Sequence, residues 1–284
     1  MESANRDTAL ESQSPNDDQT SEVRRYWQKQ PCGTRDVPDG ERKAFFKELE
    51  RQRYEWEPSI LEFARFERGR GRRVLEIGVG AGTDFINWAR HGAELSGIDL
   101  TEAGVALANE RLALEGLTDD VQVGNAEALP FDDDSFDIVY SYGVLHHSPD
   151  TERCLAEVHR VLRPGGTALI MLYNVTAWTA WNLWAFHGLA KGRPWLSPRQ
   201  AVYDHLESPG TKAYTARETT KLFHLFSRIE RMETAFLGGD LLRMSPSEKY
   251  PSRVAKLLFA LYPRPIIRFI GPRFGFARMI EATK

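Results

Sequence analysis

The stretch VLEIGVGAGTDF, Val74 to Phe85, decides the fold. Three of its first four residues are hydrophobic, and three glycines follow at every second position, Gly78, Gly80 and Gly82. An apolar run ending in a glycine turn, then TDFINWARHG closed by Gly92, reads as buried strand, loop and helix. The pattern repeats downstream. ELSGIDL is a second strand, and TEAGVALANERLALEG is a helix with Thr101 as N-cap and Gly116 at its end. VQVGNAE is a third strand and SFDIVYSYG a fourth. Residues 150–162 form a helix stopped by Arg163-Pro164-Gly165-Gly166, and TALIMLYN is a fifth strand. This alternation predicts an α/β, doubly wound, Rossmann-like parallel sheet with helices on both faces. Such sheets take ligands at the carboxyl ends of their strands, where strand order reverses. The glycine loop ends the first strand, at that place.

Beyond Asn174 the pattern loosens. Residues 175–213 hold four of the seven tryptophans, Trp178, Trp181, Trp184 and Trp195, and read as an inserted, partly helical lid. TARE, from Thr215 to Glu218, is a capping box that opens a helix. SRIERMETAFL and FGFARMIEATK are predicted as sixth and seventh strands, with a basic apolar segment between them. Upstream, residues 1–22 are polar and acidic and read as a disordered tail. Helical spacing follows at Phe45 and Leu49, then, after Pro58, at Ile60, Leu61, Phe63 and Phe66. The expected organisation is a tail at 1–22, a helical cap at 23–69, a ligand-binding core at 70–175, and lid insertions with the final strands at 176–284.

The composition narrows the function. A net charge of -3 over 284 residues offers no general attraction to nucleic acid. Two cysteines, Cys32 and Cys154, are too few for a disulfide framework, and no Cys/His cluster has metal-ligand spacing. No metal is expected. With no signal-peptide pattern and no uncharged apolar run of about 18 residues, a cytoplasmic protein is expected. From Arg243 to Lys284, six Arg and three Lys face only Glu248 and Glu281. That stretch contains VAKLLFALYPRPIIRFI, which reads either as a helix with snorkelling basic residues or as a weak contact with a membrane surface or greasy substrate.

The loop itself discriminates between ligands. A dinucleotide loop reads G-x-G-x-x-G, but Thr83 stands where its third glycine would be. Glu76, just before the loop, would oppose a pyrophosphate and welcome an ammonium. The ligand therefore looks like a nucleoside bearing an amino acid. Asp99 ends the second strand, with Leu100 after it, and a carboxylate there suits two ribose hydroxyls. Asn125-Ala126-Glu127 ends the third strand. Two readings stand open for it: a reader of an adenine edge, or a simple turn.

The set VLEIGVGAG, GIDL, GNAEALPFDDDSFDIVYSYGVLHH and RVLRPGG resembles the class I S-adenosylmethionine-dependent methyltransferases, and most the small-molecule branch that includes ubiquinone/menaquinone-type enzymes. The resemblance covers about residues 70–175, in order and spacing. It implies a seven-stranded sheet with the last strand antiparallel, S-adenosyl-L-methionine as cofactor, and methyl transfer to a small, lipophilic or otherwise, organic acceptor by direct displacement. It implies that Glu76 and the loop Gly78–Gly82 hold the methionyl part, Asp99 the ribose, and Asn125 with Ala126 the adenine. Ser141 and Tyr142 would lie beside the sulfonium. The family often has Asp where this chain has Asn125. A base helps if the acceptor is a hydroxyl or acidic carbon, and His146 or His147, after the fourth strand, could serve; the alternative is that one of them simply packs or caps. Two other functions stand beside this one: a dinucleotide-binding oxidoreductase, and a nonenzymatic S-adenosylmethionine-binding protein. Nucleic-acid methylation is disfavoured, because Ser141-Tyr142-Gly143-Val144 stands where an Asn-Pro-Pro-Tyr type motif would be.

Overall fold

Val74, Leu75 and Ile77 are buried because the strand they form lies at the centre of a sheet covered on both faces. The computed structural model describes residues 15–37, 40–118, 120–241, 262 and 264–284. The strands are β1 (Arg73–Ile77), β2 (Glu94–Asp99), β3 (Asp120–Val123), β4 (Phe136–Tyr142), β5 (Leu162–Tyr173), β6 (Arg228–Ala235) and β7 (Ala277–Thr283). They form one seven-stranded sheet in the order β3-β2-β1-β4-β5-β7-β6. The first five run parallel, and β7 is antiparallel to both β5 and β6. The expected fold, with sixth and seventh strands at the expected places, is the observed one.

The helices are α1 (Pro15–Lys29), α2 (Arg42–Trp56), α3 (Ser59–Ala64), α4 (Thr83–Arg90), α5 (Glu102–Glu115), α6 (Thr151–Val161), α7 (Trp178–His187), α8 (Pro198–His205), α9 (Ala216–Leu222) and α10 (Arg264–Ile270). Side chains alternate across β4 and β5, so each strand feeds two cores. Ile138, Tyr140, Leu169 and Met171 pack with Ile60 and Phe63 of α3, Trp88 of α4 and Ala180 of α7. Val139, Ala168, Ile170 and Leu172 pack with Leu155 and Val158 of α6 and with Phe223 after α9.

Local signals act as expected at several termini. Thr101 Oγ1 accepts from Gly104 N–H at the start of α5. Thr215 and Glu218 form the reciprocal capping box of α9. Two expectations are corrected. The tail predicted over 1–22 is helical from Pro15, where Pro begins the first turn and Asp17 and Asp18 favour its positive end. Residues 1–14 lie outside the described residues. Leu61, placed with the apolar face of the cap, is 47% exposed, because α3 turns Ile60, Phe63 and Ala64 inward instead. The part of VAKLLFALYPRPIIRFI from 254 to 261 also lies outside the described residues. Among the described residues no helix is long and apolar enough to cross a membrane, and no group of His, Cys, Asp and Glu is placed to hold a metal ion.

Candidate functional site

A cavity of about 300 Å³ opens at the carboxyl ends of β1, β2, β4 and β5, where the strand order reverses. Its floor is the loop Gly78–Ala81; its walls come from Asp99 and Leu100, from Asn125 and Ala126, and from Tyr142. The cap and lid complete it. Val23 and Trp27 of α1, Arg53 and Trp56 of α2, and Leu206 and Glu207 after α8 all line it. The helical cap therefore contributes to the site rather than only packing beside it.

The glycine loop has the shape its residues permit. Gly78 has φ of +81°, and a Cβ there would lie 2.2 Å from Val144 Cγ2. Gly80 has φ of +54°, with nothing within 4 Å of where its Cβ would be. Its N–H donates to Asp99 Oδ2 at 2.9 Å. Asp99 Oδ1 accepts from Thr101 N–H at 2.8 Å and from Thr101 Oγ1 at 2.7 Å. The carboxylate is thus held in one orientation: Oδ1 is filled by its two Thr101 donors, and Oδ2 keeps a lone pair for a further donor. Thr83, in the place of a dinucleotide loop's third glycine, accepts on Oγ1 from Arg111 at 3.1 Å. That position carries a buried polar contact, not the bare backbone that close helix–strand packing needs.

Glu76 is 4% exposed, and its Oε2 has no hydrogen-bond partner among the described residues. Burial holds its carboxyl well above the usual range; Asp84 and Asp99 push the same way and Arg53 opposes them. A buried carboxyl oxygen left without a donor beside an open glycine loop is a polar demand that a ligand can meet.

Sequence reasoning did not find the residues that hold cap to core. Asp84, in the first turn of α4, is buried and accepts from Arg53 Nε at 3.0 Å, Tyr54 OH at 3.0 Å and Tyr140 OH at 2.8 Å. Arg53 also lies over the Tyr142 ring, 5.4 Å from its centroid. The only available signal was an acid placed one turn beyond the glycine loop.

The other end of the cavity holds a second cluster. His147 lines the cavity, and its Nδ1 is 3.0 Å from Thr211 Oγ1 and 2.9 Å from Ser208 Oγ. Thr211 Oγ1 donates its one proton to Ser208 O, so it accepts from Nδ1. With the ring proton on Nδ1, Thr211 Oγ1 accepts from it and Nε2 keeps its lone pair. Nε2 has no hydrogen-bond partner among the described residues and lies 3.5 Å from Glu207 Oε2. Burial, with Lys212 nearby, lowers His147 to about 3, so the ring is neutral at physiological pH. Glu207 also lines the cavity and accepts from Tyr173 OH at 2.9 Å. Burial raises its carboxyl, against the Tyr173 hydrogen bond and the Arg35 charge. Its φ is +40°, a left-handed conformation rare for a residue with a Cβ. Nothing in the sequence pattern singled out Glu207.

The remaining predicted residues divide. Glu76, Gly78, Gly80, Asp99, Leu100, Asn125, Ala126, Tyr142 and His147 line the cavity together. Gly82 lies behind the loop as the N-cap of α4, φ +76°. Ser141 is fully buried and donates to Ile77 O, so it braces β1 against β4 instead of facing the cavity. Glu127 is turned away to Asp150 N–H and Ser148 Oγ. Asn125 Oδ1 accepts from Glu127 N–H, so the turn reading of that segment is satisfied while Asn125 still faces the cavity. His146 is fully buried behind His147, packed on the Tyr173 ring at 3.7 Å between centroids, and lies off the cavity lining. Trp27 meets His147 edge-on at 5.3 Å, whereas Tyr54 serves Asp84.

Known proteins resemble this chain in sequence and in fold. Residues 75–170 match the family described as Methyltransferase domain. Over 98 residues the chain is 47% identical to a phthiotriol/phenolphthiotriol dimycocerosates methyltransferase of Mycobacterium tuberculosis, covering 34% of this chain and 36% of that protein. The match thus spans about a third of the length of the curated relatives. An S-adenosylmethionine-dependent methyltransferase from Mesorhizobium loti superposes with a TM-score of 0.53 at 20% identity, covering 80% of this chain and 96% of that one. A phosphoethanolamine N-methyltransferase of Haemonchus contortus, in complex with phosphomonomethylethanolamine and S-adenosylhomocysteine, superposes with a TM-score of 0.54 at 20% identity, covering 82% of this chain and 52% of that one. These structural likenesses establish the fold.

Proposed function

We propose that the protein, whose residues 75–170 match the methyltransferase domain family and whose sheet has seven strands, transfers a methyl group from S-adenosylmethionine to a small organic acceptor by direct displacement. The observation that carries this reading is the buried, unpartnered Glu76 Oε2 beside the open Gly80. That donor-hungry carboxyl fits the ammonium of an amino-acid ligand and repels a pyrophosphate. The oriented Asp99, next to Leu100, fits a ribose hydroxyl on Oδ2. Asn125 and Ala126 fit an adenine edge, and Tyr142 stands over the methionyl end. When bound, S-adenosylmethionine supplies an electrophilic methyl carbon whose bond to sulfur breaks with the electron pair staying on sulfur.

The chain's own residues do the rest. Trp27, Trp56, Leu206, Leu237 and Phe276 line the acceptor end and exclude water. This apolar lining, and relatives named for phthiotriol dimycocerosates, support a lipophilic acceptor. Alignment of acceptor and methyl carbon contributes up to about 7–11 kcal/mol. An acceptor hydroxyl placed between His147 Nε2 and Glu207 Oε2 loses its proton to that pair as its oxygen bonds to carbon. Of the two, Glu207 is the better-matched base, since its raised carboxyl lies closer to neutrality than an imidazole at about 3. In this scheme His147 orients the hydroxyl beside Glu207, and His146, off the cavity lining, takes no part. A cytoplasmic location is part of this proposal; among the described residues no helix is long and apolar enough to cross a membrane.

Calorimetric titration with S-adenosylhomocysteine, with NAD as control, tests the reading. Micromolar binding, about -8 kcal/mol, is expected for the first and none for the second. Binding of NAD alone would move the chain to the oxidoreductases.

A further inference from the structure

Helix α7, WTAWNLWAFH, is apolar on nearly every side, yet only Ala180 and His187 of its ten residues are buried. A helix that is hydrophobic all round normally lies inside a protein core or a membrane. Here the inner side is used: Ala177 and Ala180 join the core, and Thr179 reaches the cavity. The outer side is not. Trp181 is 48% exposed, and the segment after the helix carries Leu189 at 56% and Trp195 at 79%.

The charge along this stretch of sequence has one sign. From Val175 to Tyr203 there is no Asp or Glu, while Lys191, Arg193 and Arg199 are present. Arg199 pairs with Glu218; Lys191 and Arg193 are exposed between Leu189 and Trp195. Indole rings favour the boundary between hydrocarbon and water, and basic side chains among them favour anionic headgroups. A ten-residue helix spans about 15 Å, against about 30 Å of hydrocarbon, so it can lie in a bilayer surface but not cross it.

We propose that the outer face of the lid, Trp181, Leu189 and Trp195 with Lys191 and Arg193, docks on an anionic lipid bilayer. Thr179 on α7 and Leu206 and Glu207 after α8 wall the acceptor end of the cavity, so docking brings that end to the lipid. The inference stands independently of methyl transfer.

The test is co-sedimentation of the full chain with phosphatidylcholine vesicles made with and without phosphatidylglycerol. The protein is expected to pellet with the anionic vesicles and to leave them at high salt. Lys191→Glu with Arg193→Glu should weaken partitioning by at least about tenfold, since each basic residue near such a surface is worth roughly fivefold. Leu189→Ser with Trp195→Ser should weaken it similarly and abolish the blue shift of tryptophan emission on vesicle addition. All four positions are exposed, so thermal unfolding should be unchanged. Wild-type protein that stays in the supernatant would overturn the proposal. Pelleting that neither double variant weakens would place the contact elsewhere on the chain. A concentration-dependent dimer in lipid-free sedimentation velocity that Leu189→Ser with Trp195→Ser dissolves would assign the face to a second copy instead.

Discussion

Replacing Glu76 with Gln keeps the shape of the loop and removes one buried charge. The side chain is 4% exposed, and Oε2 has no partner among the described residues. Burial raises the carboxyl well above its usual range, so the ligand-free protein holds a proton there at pH values where an exposed glutamate has lost it. An ammonium selects the ionised form. Binding must therefore release a proton from Glu76, up to one per site below the raised pKa and none above it. Calorimetric titration with S-adenosylhomocysteine in phosphate and in Tris reads this directly, because the apparent enthalpies differ by the protons released times the difference in buffer ionisation enthalpy. Glu76→Gln should abolish that buffer dependence. It should also weaken binding by roughly ten- to hundredfold, the loss of a charge-assisted hydrogen bond of about 1.5–3 kcal/mol. The same substitution should stabilise the empty protein. A carboxyl whose pKa is raised on folding binds more protons folded than unfolded, so its contribution declines from about pH 4.3 up to the raised pKa. The decline is about 1.4 kcal/mol per pH unit within that window. Glutamine removes the decline, and urea midpoints at neutral pH should rise. An affinity within about threefold of wild type, with equal heats in both buffers, would refute the placement of an ammonium at Glu76.

Other consequences are open to direct measurement. Arg53→Ala leaves Asp84 buried beside two tyrosine hydroxyls without its cation, and should destabilise the fold by about 3–5 kcal/mol in urea unfolding; a loss under about 1 kcal/mol would show that the hydroxyls suffice. Gly78→Ala drives a Cβ into Val144 at a φ of +81°, so binding of S-adenosylhomocysteine should collapse, and adding Val144→Ala should restore part of it. With a hydroxyl acceptor, activity should rise with pH as Glu207 gives up its proton, in a field set by Tyr173, His147 and Arg35, with Tyr26 and Cys32 nearby. Glu207→Gln should erase that acid limb and lower kcat by about 10²–10⁴ with little change in KM; an unaltered pH profile would remove Glu207 from proton transfer. Thr215→Ala should lower stability by about 1 kcal/mol through loss of the α9 cap.

The order of strands and helices was legible in the sequence because each is encoded locally. Apolar runs, helical periods and glycine or capping residues at fixed offsets placed the first five strands, and the last two followed from the same signals. The loop's chemistry could be read for a similar reason: Glu76, Gly78, Gly80 and Thr83 lie within eight positions of one another. Ser141 and Glu127 show where this reading stops. Each belongs to a segment at the cavity's edge, but strand alternation and a local turn direct their side chains elsewhere, and only packing decides which.

Sequence alone, then, determined the sheet and the glycine loop with its flanking acid, since those depend on neighbours along the chain. Tertiary structure decided the acceptor end. Glu207, Tyr173, His147 and Trp27 come from the lid, the sheet, the turn after β4 and the cap; they meet because α1 and the segment after α8 fold over the same strand ends. Arg53 meets Asp84 from 31 positions away. No periodicity records such encounters, because the free energy that selects them is that of burying one surface against another, and that surface exists only once the chain has folded.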